Sequence, residues 1–355
     1  MKQAANEAIE LLKRLIATPS HTREEGATAD LLADYFAEKG LAVERIEQNL
    51  LLRTKHFEAG RDTLLLNSHH DTVRPAASYT RDPYSPTVEE GRLYGLGSND
   101  AGGSLVSLIA TFITLAEREL PFNLMLLISA EEECGGERGI RACYDHLRDV
   151  TMAIVGEPTS MQAAVAERGL VVLDCEAKGK SGHAARGEGI NALYIALDDI
   201  TRLRNYQFAR TSPTLGPIRL TTTMISCGTQ HNVVPDSCRF VVDIRTTDAY
   251  TNEETVALIS EALTSEVTPR STRIRASVIA ESHPLVVAAV KAGASCFVSP
   301  TTSDRTLMPF PALKIGPGES ARSHTADEYI LLEEIEQGIE TYVKIIENLA
   351  AEYGN

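Results

Sequence analysis

Two continuous apolar runs in this chain end in clusters of polar and charged residues. Residues 63–72 (TLLLNSHHDT) and 123–133 (NLMLLISAEEE) follow this pattern, and the segment 104–119 between them has the apolar spacing of a helix. Short apolar runs of this kind are typical of strands buried on both faces of a parallel sheet. Strands that alternate with helices predict an α/β fold, in which functional side chains lie beyond the carboxyl ends of the parallel strands.

Helical spacing of apolar residues also marks both ends of the chain. Thr22 followed by Glu25 resembles a capping box, which would begin a helix near residue 24. The predicted helices cover residues 5–17, 24–38, 284–293 and 332–351, and residues 311–316 form a predicted short strand.

The character of the chain changes between residues 165 and 280. Strand-like runs there alternate partly between apolar and polar residues, and helical stretches cover residues 190–204 and 252–266. This combination predicts an α+β domain whose sheet has one solvated face. We therefore predict a discontinuous domain of residues 1–164 and 281–355, interrupted by a smaller domain of residues 165–280.

The composition excludes several classes of protein. The chain has 355 residues, which suits two domains, and its formal net charge is −15. We expect no binding to nucleic acid, because neutralising phosphates needs clustered Lys and Arg. We also expect no membrane span, because the chain has no run of about 18 apolar residues. The first twenty residues carry Glu7 and Glu10 within their apolar pattern, so we interpret them as a helix and not as a leader.

The six cysteines are scattered along the chain without a CxxC pair. In a chain of this size, without a leader, they are interpreted as free thiols in a reducing compartment. These features together predict a cytoplasmic protein.

Five short segments contain the His, Asp and Glu residues that a metal centre requires. Each segment has an ordinary interpretation as well: a loop histidine, a solvated run of glutamates or a simple turn. Their common position after predicted strands favours a site for divalent ions, and zinc accepts both imidazole and carboxylate ligands. Asp71, two residues after His69, could reach the free ring nitrogen of that histidine and fix its tautomer. The segments are SHHDTV with His69 and Asp71, GLGSNDAGG with Asp100, SAEEECGG with Glu132 and Glu133, VGEPT with Glu157, and GPGESARSHTADEY with His324.

In this order the segments resemble the dinuclear zinc aminoacylase and carboxypeptidase family, along essentially the whole chain. The resemblance implies a mixed, mostly parallel α/β zinc-peptidase-like domain with an inserted α+β lid that forms a dimer. It also implies two divalent metal ions, zinc in the first place, with cobalt as an ion that could replace it. One ion would be bound by His69 and Glu157 and the other by Glu133 and His324, with Asp100 bridging both and followed by a cis peptide bond. Glu132 would be the general base, which passes a proton from water to the leaving amine, and Asp71 would orient His69.

The lid segments GKSGHAARGEGINAL and GTQHNVVPDSCRFVVDIR resemble the dimerisation motifs of the same family. By that resemblance His183 would donate a hydrogen bond to the oxyanion in the partner's site. Without it, His183 is interpreted as a turn histidine, and the arginines as surface residues. The predicted substrate contacts are Asn232 beside His183, Arg245 and Arg186 at a substrate carboxylate, and Gly316 and Gly318 where the backbone approaches the substrate.

The resemblance implies an enzyme that hydrolyses the amide bond of a small N-acyl amino acid, with N-acetylornithine as the first candidate. The alternatives are N-succinylornithine, succinyl-diaminopimelate and small peptides. A non-catalytic binding protein on the same fold is disfavoured because the base and all ligands are present. The chain departs from many relatives in having Ala101 after the bridging Asp100 and no proline after His183. We expect a homodimer whose partner molecule is a small N-acyl amino acid.

Overall fold

The computed structural model describes residues 2–353. Its helices begin and end close to the predicted positions. The α-helices within this range are α1 (Lys2–Ile16), α2 (Gly26–Glu38), α3 (Gly103–Leu115), α4 (Ala192–Asn205), α5 (Asn252–Ala262), α6 (Pro284–Lys291) and α7 (Leu332–Tyr353).

The strands range from two to ten residues in length. In chain order they are β1 (Glu44–Ile46), β2 (Asn49–Arg53), β3 (Thr63–His69), β4 (Thr87–Glu89), β5 (Arg92–Tyr94), β6 (Asn123–Ser129), β7 (Val150–Val155), β8 (Ala163–Glu167), β9 (Gly169–Lys178), β10 (Gly182–His183), β11 (Arg219–Cys227), β12 (Val233–Val234), β13 (Ser237–Thr246), β14 (Glu266–Pro269), β15 (Ser277–Val278), β16 (Cys296–Ser299), β17 (Ala312–Lys314) and β18 (Tyr329–Leu331).

Contacts divide the chain into two compact units. The first contains the chain up to Val165, Ile279–Phe297 and the residues from Ser303 onward, and the second contains Ala166–Val278 and Val298–Thr302. A discontinuous unit interrupted by a second one has the arrangement expected from the sequence, with the addition of the short 298–302 segment. The lid and dimerisation roles of the second unit stay predictions.

The first unit is built on a mixed sheet with the strand order β1-β2-β6-β3-β7-β17-β8. Its four central strands, β6, β3, β7 and β17, run parallel, whereas the β1–β2, β2–β6 and β17–β8 pairs are antiparallel. Parallel strands end at the same edge of a sheet, so the residues that follow β3, β6 and β7 come close together. The predicted α/β class is confirmed.

Alternate residues of the central strands pack on opposite faces of this sheet. Leu64 and Leu66 of β3 belong to the core that α1, α3, α6 and α7 cover, and Leu65 belongs to the smaller core on the other face. Both faces are therefore buried, which explains why β3 and β6 are continuous apolar runs.

Both of these strands end where the apolar run gives way to polar residues. Strand β3 ends at His69, so Asp71 already lies in the following loop. Strand β6 ends at Ser129, and the three glutamates leave the sheet in a turn that begins with Glu131 at φ +52°.

The capping box predicted at Thr22 and Glu25 is wrong. Glu25 directly precedes α2, and no side chain caps this helix. The Thr22 hydroxyl donates to the Asp71 carboxylate at 2.9 Å, and the Glu25 carboxylate accepts the main-chain N–H of Arg23 at 2.5 Å. Both side chains make contacts outside the helix, and a local sequence pattern cannot distinguish the two arrangements.

The second unit contains an antiparallel sheet with the order β11-β13-β9-β14. Val171, Leu173 and Cys175 alternate along β9 and are buried in a core that includes residues of α4 and α5. The intervening residues are more exposed, as expected for a sheet with one solvated face. Strand β11 lies at the edge of this sheet.

Two further expectations concern the cysteines and membranes. All six cysteines are free thiols in the structure, as predicted. Among residues 2–353, no helix combines the length and the apolar character needed to cross a bilayer.

Candidate metal centre

Five side chains from five separate segments converge beyond the carboxyl ends of the parallel strands. His69 ends β3, Asp100 lies in the turn before α3, Glu133 follows β6, Glu157 follows β7, and His324 precedes β18. The Nε2 atom of His69 lies 3.3 Å from Oδ1 of Asp100, and the Nε2 atom of His324 lies 3.7 Å from its Oδ2. Asp100 therefore directs one carboxylate oxygen to each imidazole.

Two further carboxylates lie on either side of Asp100, one beside each imidazole. Nε2 of His69 lies 3.8 Å from Oε1 of Glu157, and Nε2 of His324 lies 3.1 Å from Oε2 of Glu133. One half of the cluster thus contains His69 and Glu157, the other contains His324 and Glu133, and Asp100 lies between them. These distances are compatible with the grouping that the family resemblance implies, and the assignment of ligands to individual ions stays a prediction.

The ring of His69 supplies the test of whether a metal ion fits. Its Nδ1 atom donates to the main-chain carbonyl of Asp71 at 2.9 Å, so Nε2 is the nitrogen without a proton whenever the ring is neutral, as it must be to bind a metal ion. Nε2 is buried without a hydrogen-bond partner and faces the carboxylates of Asp100 and Glu157. A cation between these atoms would satisfy an acceptor nitrogen and two anionic oxygens together. The residues therefore fit a divalent ion.

Two sets of donor atoms are close enough to hold an ion. The atoms of His69, Glu132 and Glu157 lie within 4.8 Å of one another, and so do those of His69, Asp100 and Glu133. The first set includes Glu132, the predicted general base. Its carboxylate can therefore reach the ion position at His69, and the geometry alone does not separate a base from a ligand there.

Both histidines lie in a strongly negative environment. The hydrogen bond to the Glu133 carboxylate raises the pKa of His324 to about 9. Burial by itself lowers the pKa of His69, but the nearby carboxylates of Asp100 and Asp71 outweigh it and raise that pKa well above the usual value. Without metal, the cluster therefore attracts protons to its imidazoles, and a divalent cation would replace them.

The carboxylate of Glu132 is poorly stabilised as an anion. Removal from water raises the pKa of its carboxyl group well above the usual value. The nearby charges of Glu157, Asp304 and Glu133 act in the same direction, opposed by His69. A carboxylate of raised pKa is suited to accept a proton and release it again near neutral pH.

Asp71 approaches His69 more closely through its main chain than through the side chain that was predicted to orient the ring. Its main-chain carbonyl accepts from His69 Nδ1, whereas its carboxylate lies farther away, at 3.5 Å. The carboxylate instead accepts the main-chain N–H groups of Glu132 at 3.0 Å and Glu133 at 3.3 Å. Asp71 thus orients the histidine through its backbone and the glutamate turn through its side chain.

Two buried carboxylates beside the centre were missed by the sequence analysis. Asp304 accepts a hydrogen bond from Ser129 Oγ, and burial raises its pKa to about 6. Glu328 lies four residues after His324 and accepts main-chain hydrogen bonds from the Asp100 loop; burial raises its pKa to about 7. An acidic residue inside the His324 motif was a usable signal for Glu328, whereas Asp304 begins a short 3₁₀ helix whose sequence has no recognisable pattern.

Gly316 and Gly318 are required by close packing against the protein itself. A Cβ atom on Gly316 would lie 2.3 Å from Ser104 Oγ and 2.5 Å from the carbonyl oxygen of Glu157. Gly318 has φ +87°, and a Cβ atom there would lie 2.5 Å from Asn99 Oδ1. The peptide bond between Asp100 and Ala101 is cis, as the resemblance implies. A contact of either glycine with substrate stays a prediction.

The remaining predicted residues lie in the second unit. His183 is exposed on β10, which pairs with β12, and the N–H of Ala184 donates to the carbonyl of Asn232 at 3.0 Å. The segments of His183 and Asn232 are therefore neighbours. Arg186 is also exposed, whereas Arg245 pairs with Asp243 on the same strand at 2.9 Å. A substrate carboxylate at Arg245 would have to compete with that aspartate.

Two known enzymes are similar to this chain in sequence. The chain is 29% identical over 383 residues to the acetylornithine deacetylase of Proteus mirabilis, covering 96% of each chain. It is 30% identical over 261 residues to the succinyl-diaminopimelate desuccinylase of Paracoccus denitrificans, covering 69% of this chain and 68% of that enzyme.

Solved structures share the fold at lower identity. The aminopeptidase PepT of Bacillus cereus matches with a TM-score of 0.79 and 21% identity, covering 98% of this chain and 99% of its own. A dinuclear metal-binding peptidase of Bacillus subtilis matches with a TM-score of 0.75 and 14% identity, covering 100% and 99%. The sequence profile of peptidase family M20/M25/M40 matches residues 65–348. The chain therefore belongs to peptidase family M20/M25/M40 and is a metal-dependent hydrolase that acts on amide bonds.

Proposed function

We propose that this protein hydrolyses the amide bond of a small N-acyl amino acid, with N-acetylornithine as its substrate, at a centre of two zinc ions. The observation that carries the proposal is the position of Asp100, which directs one oxygen to His69 and the other to His324. A carboxylate between two imidazoles, each with a further carboxylate beside it, matches the ligands that two divalent ions need.

In the proposed mechanism the ligands hold the metal ions, and Glu132 alone remains free to transfer a proton. Bound divalent ions would polarise the scissile carbonyl and lower the pKa of water at the centre. Glu132 accepts a proton from the attacking water and donates it to the leaving amine nitrogen. The turn that carries Glu132 is held by Asp71, so the base cannot withdraw from the centre without breaking that contact.

The choice of substrate rests on similarity to the deacetylase over nearly the full length of both chains. An acetyl group offers only a methyl group for recognition, whereas a succinyl group brings a carboxylate that a cationic side chain could select. Rates measured on one zinc-loaded sample with N-acetylornithine, N-succinylornithine, succinyl-diaminopimelate and a tripeptide test the choice. We expect the highest kcat/KM on N-acetylornithine. A preference for a succinylated substrate or for the tripeptide would overturn it, and cleavage of none of the four would contradict the N-acyl amino acid class.

We further propose that the second unit forms a homodimer and that His183 acts in the partner's site. Tyr194 and Leu197 on α4 are 65% and 46% exposed, and Ile225 on the edge strand β11 is 50% exposed. Exposed apolar side chains beside an unpaired strand edge favour pairing with a second copy of this chain. The Nδ1 atom of His183 accepts the N–H of Ala185 at 3.2 Å, so the neutral ring carries its proton on Nε2. An Nε2–H group is the donor that an oxyanion requires.

A further inference from the structure

We propose that Glu328 is a positioning residue that fixes the main chain carrying Asp100 and thereby sets the affinity of the centre for its metal ions. This inference rests on the proposed two-ion centre. Glu328 touches neither ion position in the proposed arrangement, and it acts only through the backbone of the Asp100 loop.

The Glu328 carboxylate collects three main-chain hydrogen bonds from one short loop. Its Oε1 atom accepts the N–H groups of Asn99 and Asp100, both at 2.8 Å, and its Oε2 atom accepts the N–H group of Gly97 at 3.0 Å. The residue is only 2% exposed. Successive N–H groups that converge on one point form an anion-binding concavity, and this carboxylate fills it.

The chemistry of these contacts requires a carboxylate. Both of its oxygens act as acceptors, and hydrogen bonds to an ionised acceptor are roughly twice as strong as neutral ones. An amide of the same size would place an NH₂ group against at least one N–H group, with donor facing donor. The Glu328→Gln change therefore alters the loop without creating a cavity.

Asp100 is the proposed ligand whose main-chain position should have the largest effect on metal affinity. Its two oxygens lie 3.3 Å and 3.7 Å from the nitrogens of different imidazoles, so a shift of its backbone changes both proposed ion positions together. Glu157 and Glu133 each make an ion pair with one imidazole only. The residues that support metal ligands typically contribute about 10–100-fold to metal affinity or activity.

The same loop is also tied to the segment that carries His324. Asn99 Oδ1 accepts the N–H group of Glu319 at 2.9 Å, and Asn99 Nδ2 donates to the Glu319 carbonyl at 3.1 Å. Glu319 and Glu328 stand on either side of His324 in the chain. The loop of Asp100 and the segment of His324 are thus connected at two points, so two ligands of one ion are held as a unit.

Asp199 provides a matched control in the other unit. Its carboxylate is fully buried and accepts the main-chain N–H groups of Thr264 at 3.0 Å and Ser265 at 2.8 Å. Asp199→Asn therefore removes a buried charge that accepts main-chain N–H groups, in the unit that carries none of the proposed ligands. Asp199 also pairs with Arg202 at 3.2 Å, so this variant is expected to lose at least as much folding stability as Glu328→Gln. A purely structural role of Glu328 predicts that both variants lose folding stability and that neither loses metal affinity.

The test is calorimetric titration of the chelator-treated, full-length protein with Zn²⁺ alone, together with thermal unfolding of the metal-free form. We expect wild type to bind two ions. We expect Glu328→Gln to weaken at least one of them by about 10–100-fold, and Asp199→Asn to keep both affinities. Glu328→Asp retains the charge but cannot reach all three N–H groups, so its loss should be smaller, and it carries the test if Glu328→Gln does not fold.

Two results would overturn the inference while leaving the two-ion centre intact. One is a wild type that binds two ions together with Glu328 variants of unchanged affinity. The other is an equal loss of affinity in Asp199→Asn, which would make the effect one of general stability. Fewer than two ions bound to wild type would instead overturn the proposed centre, and the inference with it.

Discussion

The carboxylate of Asp71 accepts the main-chain N–H group of Glu132 at 3.0 Å, while the carbonyl of the same aspartate accepts from the ring of His69 at 2.9 Å. One residue thus connects the proposed base with a proposed ligand. The two contacts use different parts of Asp71, so mutation of the side chain affects only one of them.

We expect Asp71→Asn to reduce turnover more than it reduces zinc affinity. The variant keeps the carbonyl that orients His69 but replaces one acceptor oxygen of the glutamate turn with an NH₂ group. The expected fall in kcat is about 10–100-fold. Steady-state kinetics and zinc titration of the same sample measure the two effects, and a loss of zinc with normal turnover per bound zinc would contradict this assignment.

Glu132→Gln should keep both metal ions and lose turnover. The amide cannot accept a proton from water, and general acid–base groups typically contribute about 10²–10⁴-fold. Metal analysis and kinetics of the purified variant measure both quantities. Near-normal turnover would remove Glu132 as the base, and a loss of metal would make it a ligand, which its distance to His69 and Glu157 also permits.

Glu133→Gln is the matched control for that experiment, because it makes the same chemical change at the neighbouring position. Glu133 contacts His324 at 3.1 Å, so its loss should lower metal occupancy first and turnover as a consequence. Restoring the metal with excess Zn²⁺ should recover part of the activity in Glu133→Gln and none in Glu132→Gln.

Zinc affinity should fall as the pH is lowered from 9 to 7. Without metal, the pKa of His324 is raised from 6.5 to about 9 by Glu133, so below that pH an ion must displace a proton. Each displaced proton changes affinity by about tenfold per pH unit. The folding stability of the metal-free protein should change in the opposite direction, because the protonated pair stabilises it fully below pH 6.5 and ceases to do so as the pH rises through about 9.

Calorimetric titrations in buffers of different ionisation enthalpy measure the released protons directly. A pH-independent affinity over this range, without proton release, would exclude His324 as a ligand that binds in its neutral form.

Mixing two inactive variants tests the proposed dimer and the role of His183. A dimer of one His183→Ala chain and one Glu132→Gln chain has one site with both defects and one with neither, if His183 acts in the partner's site. A random equal mixture should then regain about a quarter of wild-type activity, since half of the dimers are mixed and half of their sites are intact. No recovery after proven subunit exchange would place His183 in its own chain's site or outside catalysis, and a fully active monomer would refute the dimer.

The sequence predicts the central sheet and the positions of the proposed ligands well because both depend on strong local patterns. His69 and the Glu131–Glu133 turn directly follow long apolar runs, and a parallel sheet collects such ends at one edge. Their assignment to individual ions came from the family resemblance and not from these patterns.

The errors concern side chains whose partners are distant in the chain. Thr22 is 49 residues from Asp71, and Glu328 is 228 residues from Asp100. No local pattern specifies such pairs, so the capping box was a reasonable but wrong interpretation of Thr22 and Glu25. Asp304 was missed for the same reason, since its partner Ser129 lies 175 residues away.

The most direct measurement of the central claim is anomalous diffraction at the zinc absorption edge from crystals of the zinc-loaded protein. The account predicts two peaks per chain, with His69 and Glu157 at one, Glu133 and His324 at the other, and Asp100 bonded to both. Ligand distances of about 2.0–2.2 Å are expected for zinc bound to nitrogen and oxygen. A single peak, or two peaks without Asp100 between them, would contradict the account.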